Sequence, residues 1–178
     1  MAKNGFVNDM LYPFTVLAGI CLVAAALLGY THLVTEPIIT QMKEKAAQES
    51  RIAVLPGAAS FTEVDCDTEA LGITGAFRED NGLGYVITAE NKGYGGNVAA
   101  TVGLDQDGNI VGILADVSSE TQGVGTKVGL PDFLDQYIGN AHPDQVDGIS
   151  GATFSSTAMK QNVAAIIHAC QEIKEAGK

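Results

Sequence analysis

An apolar run near the amino terminus constrains this chain more than any other feature. Residues 10–35 contain no Asp, Glu, Lys or Arg. As a helix they would extend for roughly 39 Å, whereas the hydrocarbon core of a bilayer is about 30 Å thick. The run therefore predicts a membrane-spanning helix, preceded by a short tail at residues 1–9.

The length of the run favours a retained anchor over a cleaved signal peptide. The apolar region of a signal peptide is typically about 7 to 15 residues long and ends at small residues. This run instead continues through "LVAAALLGYTHLV", and Tyr12 and Tyr30 lie near its ends, where aromatic rings favour the membrane interface. We expect a single span in membrane lipid that ends at Glu36-Pro37, because the residue before a proline disfavours helix.

Charge limits the partners of the rest of the chain. Of 21 acidic and 10 basic residues, only Asp9 and Lys3 precede residue 36, so the other 20 and 9 give the remainder a net charge of −11. This charge argues against a nucleic-acid partner and against docking on anionic lipid, and it is compatible with an exported domain. Basic residues flank the span on both sides, so charge does not define the topology.

Cysteine usage leaves two alternatives open. Cys21 lies in the span, whereas Cys66 and Cys170 could form a disulfide outside the cell or remain reduced and buried. We favour the reduced state, because nothing else in the sequence indicates a disulfide scaffold.

The remaining sequence predicts an α+β domain. Residues 36–57 contain a helix-compatible proline, Pro37, at their start and stop at Pro56-Gly57, which predicts a juxtamembrane helix before a domain at 58–178. The segments "NVAATVGLD" and "NIVGILADV", joined by residues 106–108, predict a hairpin, and "LPDFLDQYIG" predicts a short helix. A last helix, starting within residues 154–156, has apolar residues at spacings of three and four. We expect a mostly antiparallel sheet covered by helices.

The segment "SGATFSS" at the start of this last helix is the strongest candidate for chemistry. Serine and threonine are common helix caps, and glycine is common before a cap, so Ser155 or Ser156 in a purely structural role is the simplest interpretation. A helix N-terminus also stabilises an anion such as phosphate through its unpaired amide groups. Gly151 and Ala152 leave the backbone uncrowded there, and Thr153 places a hydroxyl beside it.

Other catalytic chemistries lack their residues. The Gly-Lys-Ser/Thr of a Walker-type loop is absent from the sequence. A serine hydrolase needs a histidine base, but His32 lies in the span, His168 lies in the last helix and His142 is a loop residue beside a proline. No Cys or His spacing indicates a metal or iron–sulfur site. We therefore expect the chemistry to come from a cofactor.

Two glycine-rich loops, "NKGYGGN" and "SSETQGVGTKVG", flank the predicted hairpin. Glycine serves ordinary turns, so these loops also have a purely structural interpretation. In the functional interpretation, their backbone approaches a flat ring, Tyr94 stacks on that ring, and Glu120 and Thr121 form hydrogen bonds with it.

In their order along the chain, these elements resemble the G subunit of the Rnf ion-translocating ferredoxin:NAD oxidoreductase complex. The resemblance rests on the single span, "AVLPGA", "GYGG", "ETQGVG" and "SGATFSS". In that family the threonine of the last motif is esterified to the phosphate of FMN, which implies covalent FMN on Thr153. The family's Glu-Thr-Pro-Gly-Leu-Gly loop is altered at Gln122 and Val124. The resemblance implies a cofactor site formed by Ser150, Gly151, Ala152, Thr153, Ser155, Tyr94, Gly95, Glu120, Thr121, Gly123 and Gly125.

The same resemblance implies an electron relay with no independent turnover. The FMN would take electrons from an iron–sulfur centre held by membrane partners and pass them to another flavin-bearing protein of the complex. It also implies a single-pass protein of the cytoplasmic membrane whose C-terminal domain is extracytoplasmic.

Three alternatives remain. The first is the C subunit of the related sodium-translocating NADH:quinone oxidoreductase, although the length of this chain favours the G subunit of Rnf. The second is a membrane-anchored extracytoplasmic module that binds its ligand non-covalently. The third is a prepilin-like filament protein, suggested by Gly5-Phe6 before an apolar helix, but Asn8 and Asp9 interrupt the expected pattern.

Overall fold

A computed structural model describes residues 3–64, 72–139 and 142–176 of the chain. The helix α1 spans Lys3–Val54, and the strands β1 to β5 span Phe61–Glu63, Ile73–Glu79, Gly84–Lys92, Asn97–Asp105 and Ile110–Asp116. The short helix α2 spans Pro131–Leu134, and the long helix α3 spans Thr153–Ala176. Three short 3₁₀ turns, at Gly125–Gly129, Asp135–Tyr137 and Pro143–Gln145, complete the described elements.

The helix α1 is long and apolar enough, by length and composition, to cross a membrane. Within Tyr12–Val54, its most apolar 18-residue window has a mean hydropathy of 2.1, and none of that window is buried. The helix starts at Lys3, so most of the predicted tail is helical, and it passes Pro37 without ending. Proline removes one backbone hydrogen bond, but apolar residues before it and strong helix formers after it support helix on both sides. The predicted break at Glu36-Pro37 is therefore absent.

Residues 47–178 form one compact unit that includes the last turns of α1. The guanidinium of Arg51 lies 3.6 Å from the centroid of the Phe77 ring, and Val54 is buried with Val86. Gly103 and Gly112 are paired across β4 and β5, and a Cβ on either would overlap the Val54 carbonyl. Their missing side chains let the helix end lie directly on the sheet, so this unit begins before predicted residue 58.

The sheet is an antiparallel meander in the order β1-β2-β3-β4-β5. The predicted hairpin is confirmed as β4–β5, and the predicted short helix is confirmed as α2 with Pro131 in its first turn. The helix α3 packs on β3 and β4. Its apolar stripe is buried at Met159, Val163, Ile166, Cys170 and Ile173. The expectation of an α+β fold with an antiparallel sheet is confirmed.

The two cysteine alternatives remain predictions. Cys170 is buried in the core, where burial raises the pKa of its thiol, and it has no disulfide partner among the described residues. Cys66 lies outside those residues.

Candidate functional site

Thr153 is the first residue of α3, and its side chain is exposed. The loop before it turns at Gly151, whose φ of +83° favours glycine, and Ala152 N–H donates to the Ile149 carbonyl at 2.9 Å. Ala152, at the N-cap position, has no side-chain oxygen to accept a hydrogen bond from the first-turn amides. Since alanine is a poor cap, this helix end is suited to hold an external anion.

The two serines of "TFSS" do not cap the helix, contrary to the prediction. The helix begins at Thr153, before the predicted start, so both serines lie within its first turns and are buried. Ser155 Oγ donates to Glu120 Oε1 at 2.9 Å. Ser156 Oγ accepts from Ile149 N–H at 3.0 Å. The first serine ties the helix to a glycine-rich loop, and the second ties it to the loop that precedes it.

Glu120 is a buried carboxylate that joins three segments, and its side chain is only 7% exposed. Its Oε1 accepts from Tyr94 N–H, as well as from Ser155, at 2.9 Å. Its Oε2 accepts from Gly95 N–H at 3.1 Å and from Thr121 N–H at 3.2 Å. An ionised carboxylate has about four acceptor sites, and these four donors occupy them. Glu120 therefore holds the loops together from behind the site.

Burial and hydrogen bonding act in opposite directions on Glu120. Burial raises the pKa of its carboxyl, whereas the four hydrogen bonds together lower that pKa by more than burial raises it. The net pKa therefore lies below its ordinary value. The carboxyl is therefore ionised at neutral pH, and a fixed negative charge lies beneath the loops.

Glycines make room for this carboxylate. A Cβ on Gly93 would overlap Glu120 Oε1, and a Cβ on Gly125 would overlap Oε2. Gly95 is also constrained, since its Cβ would lie 2.9 Å from Thr121 N. The exposed Gly123 has a φ of +78° and open space around it. Most of these glycines thus allow close packing of protein on protein.

A second buried polar group, Asn162 of α3, fixes the base of the β3–β4 hairpin. Its Nδ2 donates to the Val98 carbonyl and its Oδ1 accepts from Asn91 Nδ2, both at 2.8 Å. Asn91 and Val98 flank the loop that carries Tyr94. This loop is therefore held at its base by Asn162 and at its tip by Glu120.

These supports surround an open pocket of about 420 Å³. Tyr94 is 71% exposed, Phe154 is 69% exposed, and their ring centroids are 6.2 Å apart at an angle of 39°. Val124 adds a third exposed apolar side chain, and Thr153 and Gly151 complete the wall with Ala152 and Ser155. The pocket thus offers aromatic surface beside a hydroxyl and a helix N-terminus.

A second depression, of about 330 Å³, shares Thr153 and Phe154 with this pocket. It is lined by Lys92, Thr157, Ala158 and Gln161 together with these two residues. Because 153, 157 and 161 are spaced by four, they lie along one face of α3.

The predicted site residues come together, but they are placed differently from expectation. Thr153 and Tyr94 lie at the pocket, and Thr121 and Ser150 are exposed on the adjoining loops. Glu120 faces protein donors instead of the opening. Sequence reasoning missed Phe154, Lys92 and Asn162. Only Asn162 has a signal in the sequence, because it is a polar residue three positions after Met159 on the apolar face of α3.

His168 does not supply a base to Thr153. His168 lies on the exposed surface of α3, with Nδ1 3.5 Å from Glu172 Oε1. It is fifteen residues along α3 from Thr153, which corresponds to roughly 22 Å of helix. His32 lies in α1 beside Glu36.

Comparison with known proteins assigns the part of the chain that forms this pocket to a known domain family. Residues 93–168 match the family model of the FMN-binding domain, a range that includes Tyr94, Glu120 and Thr153. The chain is 33% identical over 153 residues to the G subunit of the ion-translocating oxidoreductase complex of Methanosarcina acetivorans, covering 77% of this chain and 81% of that protein.

Two further relatives are G subunits of ferredoxin:NAD(+) oxidoreductase complexes. Over 153 residues the chain is 31% identical to the G subunit of the Na(+)-translocating ferredoxin:NAD(+) oxidoreductase complex of Acetobacterium woodii, covering 78% of this chain and 73% of that protein. Over 174 residues it is 21% identical to the G subunit of the proton-translocating ferredoxin:NAD(+) oxidoreductase complex of Clostridium ljungdahlii, covering 92% of each chain.

Proposed function

The chain belongs to the family of G subunits of the ion-translocating oxidoreductase (Rnf) complexes, and from this premise we propose that Thr153 carries FMN in ester linkage through the flavin phosphate. Family membership and the domain match make the chain an FMN-binding electron-transfer component of a multi-subunit membrane oxidoreductase. The exposed hydroxyl of Thr153, at the start of a helix that is preceded by Ala152, is the observation that carries the proposal of covalent attachment.

The pocket has the chemistry that FMN requires. Pockets for small ligands usually measure about 300 to 1,000 Å³ and combine apolar walls with a few polar groups, and the present pocket is within that range. The rings of Tyr94 and Phe154 and the side chain of Val124 offer apolar surface to the isoalloxazine. In the transfer reaction the Thr153 hydroxyl oxygen bonds to the phosphorus of an activated flavin donor, the P–O bond to the donor's leaving group breaks, and the hydroxyl proton leaves with that group. The modified chain is therefore heavier than the unmodified chain by the mass of one FMN less one water.

Each supporting residue has a separate task in this proposal. The first-turn amides of α3 stabilise the phosphate charge, while Glu120 and Ser155 hold the two glycine loops in place behind the ring. When bound, FMN supplies reversible one- and two-electron transfer. The chain itself then needs only to fix the flavin and to leave part of it accessible to the other proteins of the complex.

We further propose that the FMN relays electrons from an iron–sulfur centre to a second flavin-bearing protein of the complex. The open pocket supports this proposal, because exposed aromatic side chains at its rim leave the flavin accessible to a partner. We also propose that α1 crosses the membrane once, through residues 10–35, with the C-terminal domain on the extracytoplasmic side.

Intact mass and fluorescence of the denatured chain test the attachment. Co-expressed with a competent flavin transferase, the wild-type chain should gain the mass of one FMN less one water and should fluoresce in a denaturing gel. Thr153→Ala should lose both signals and keep its fold, because an exposed loop or helix-end substitution changes stability by about 1 kcal/mol or less.

Thr74→Ala is the matched control, since Thr74 is an exposed threonine of β2 that lines neither depression. It should retain covalent flavin, as should Ser155→Ala at least in part. Fluorescence that persists in Thr153→Ala but disappears in Ser150→Ala or Ser155→Ala would mean that another residue carries the flavin. If wild-type chain binds FMN but releases all of it on denaturation, the chain is a non-covalent binding module.

A further inference from the structure

The second depression has more polar side chains in its lining than the aromatic pocket has, and we name it the polar groove. Lys92, Thr157 and Gln161 contribute an ammonium, a hydroxyl and an amide to its lining. We infer that the polar groove holds the phosphate end of the flavin and that Lys92 is its counter-charge. This inference rests on the proposed attachment of FMN at Thr153.

The groove extends from the proposed attachment point. Thr153 belongs to the lining of both depressions, so a group bonded to its hydroxyl oxygen can enter either of them. Thr157 and Gln161 follow it at spacings of four along the same face of α3. Hydrogen-bonding side chains therefore continue for two helical turns beyond the attachment hydroxyl.

Lys92 is held in place by the supports of the hairpin. It is the last residue of β3 and is paired with Asn97 of β4. Its neighbour Asn91 donates to the fully buried Asn162 of α3. The backbone of Lys92 is thus fixed relative to the helix that carries Thr153, although its side chain is exposed.

Charge favours the polar groove over the aromatic pocket for a phosphate. Among the described residues that line the two depressions, Lys92 alone has a charged side chain. Behind the aromatic pocket lies the ionised carboxylate of Glu120, which is bonded to Ser155 of the pocket wall. In a chain with a net charge of −11, Lys92 adds a positive charge to the field of the first-turn amides at a phosphate on Thr153, whereas Glu120 repels an anion placed deeper in the aromatic pocket.

The test compares FMN, which carries phosphate, with riboflavin, which does not. The full chain is produced in detergent without a flavin transferase, and each flavin is titrated while its fluorescence is measured. An exposed ion pair contributes about 0.2 to 1 kcal/mol, so Lys92→Gln should weaken FMN binding by up to about fivefold and leave riboflavin binding unchanged. Lys92→Arg should preserve both affinities.

Lys174→Gln is the matched control, because it changes net charge equally but lies about 26 Å further along α3 than Thr157, by the helical rise. Its affinities should equal those of the wild type. Equal weakening of FMN and riboflavin in Lys92→Gln, no weakening of either, or the same effect from Lys174→Gln would overturn the inference. So would a chain that binds neither flavin.

The attachment proposal can fail separately. Covalent flavin in Thr153→Ala would refute attachment at that residue, and it is detected by mass alone. The ratio of FMN to riboflavin affinity is measured on chain without covalent flavin, so it still reports whether Lys92 recognises phosphate.

Discussion

Replacing Glu120 with glutamine will loosen the walls of the aromatic pocket while changing the side-chain volume very little. The carboxylate accepts from three backbone amides and one serine hydroxyl. Glutamine keeps one oxygen and presents an NH₂ group in place of the other. Donors then face donors on one side of the amide.

The best orientation of the glutamine sets the lower limit of the effect. If its NH₂ group replaces Oε1, Ser155 can rotate and accept a hydrogen bond, so only Tyr94 N–H loses its acceptor. If it replaces Oε2, both Gly95 and Thr121 lose theirs. One buried amide without a partner costs about 1 to 3 kcal/mol, so we expect the free energy of unfolding to fall by about 2 kcal/mol. For a domain of this size that corresponds to a melting temperature about 7 °C lower.

Thermal unfolding of the full chain in detergent, followed by far-ultraviolet circular dichroism, measures this change. Glu172→Gln serves as control because Glu172 is an exposed acid on α3, and its effect should stay within about 0.5 kcal/mol. With a flavin transferase present, Glu120→Gln should also carry a smaller fraction of covalent FMN. Since the glutamine does not remove Thr153, some attachment should remain.

The pH dependence tests the cause of the effect. Because the pKa of Glu120 is lowered in the folded chain, its contribution to stability is present above the unfolded-state pKa of about 4.3 and is lost as the pH falls through the lower folded-state pKa. The difference in unfolding free energy between wild type and Glu120→Gln should therefore shrink below about pH 4. A difference that is absent at pH 7, or that grows in acid, would refute the buried-carboxylate argument.

Two further predictions concern the loops and the topology. Gly93→Ala should lower the free energy of unfolding by roughly the 1 to 3 kcal/mol of an overpacked site, since its Cβ would overlap Glu120 Oε1. Gly123→Ala has open space around it and should show only the cost of its positive φ, about 1 to 2 kcal/mol. Equal unfolding free energies in wild type and Gly93→Ala would contradict the overlap. A cysteine introduced at exposed Glu175 tests the proposed extracytoplasmic location of the C-terminal domain. It should react with a membrane-impermeant reagent on intact cells or, where an outer membrane is present, on spheroplasts. Labelling only after lysis would contradict that location.

Patterns confined to neighbouring residues predict much of this fold. The apolar stripe of α3 follows from spacings of three and four, and the β4–β5 hairpin follows from alternating strands around Asp107-Gly108. Strand β2, with Gly75 and Arg78 inside it, has a weaker pattern that does not identify it individually. Its pairing with β3 supplies what its local sequence lacks.

Interactions between distant residues explain the predictions that differ from the structure. The sequence assigns Glu120 to the flavin ring because its partners are not apparent there: Tyr94 is 26 residues before it and Ser155 is 35 residues after it. The start of α3 is displaced for a related reason. Serines favour caps in isolation, but here each serine has a tertiary partner, so the helix starts earlier and leaves alanine at its cap.

An open pocket explains why a covalent bond would be useful for the proposed relay. The aromatic walls at Tyr94 and Phe154 are themselves largely exposed, so the pocket can cover only part of a flavin. Partial burial limits the apolar contribution to affinity, whereas complete burial would separate the flavin from its electron-transfer partners. The proposed ester at Thr153 would prevent dissociation without requiring further burial. The buried supports at Glu120 and Asn162 fix the position of the walls, which would leave the edge of the proposed flavin accessible for electron exchange.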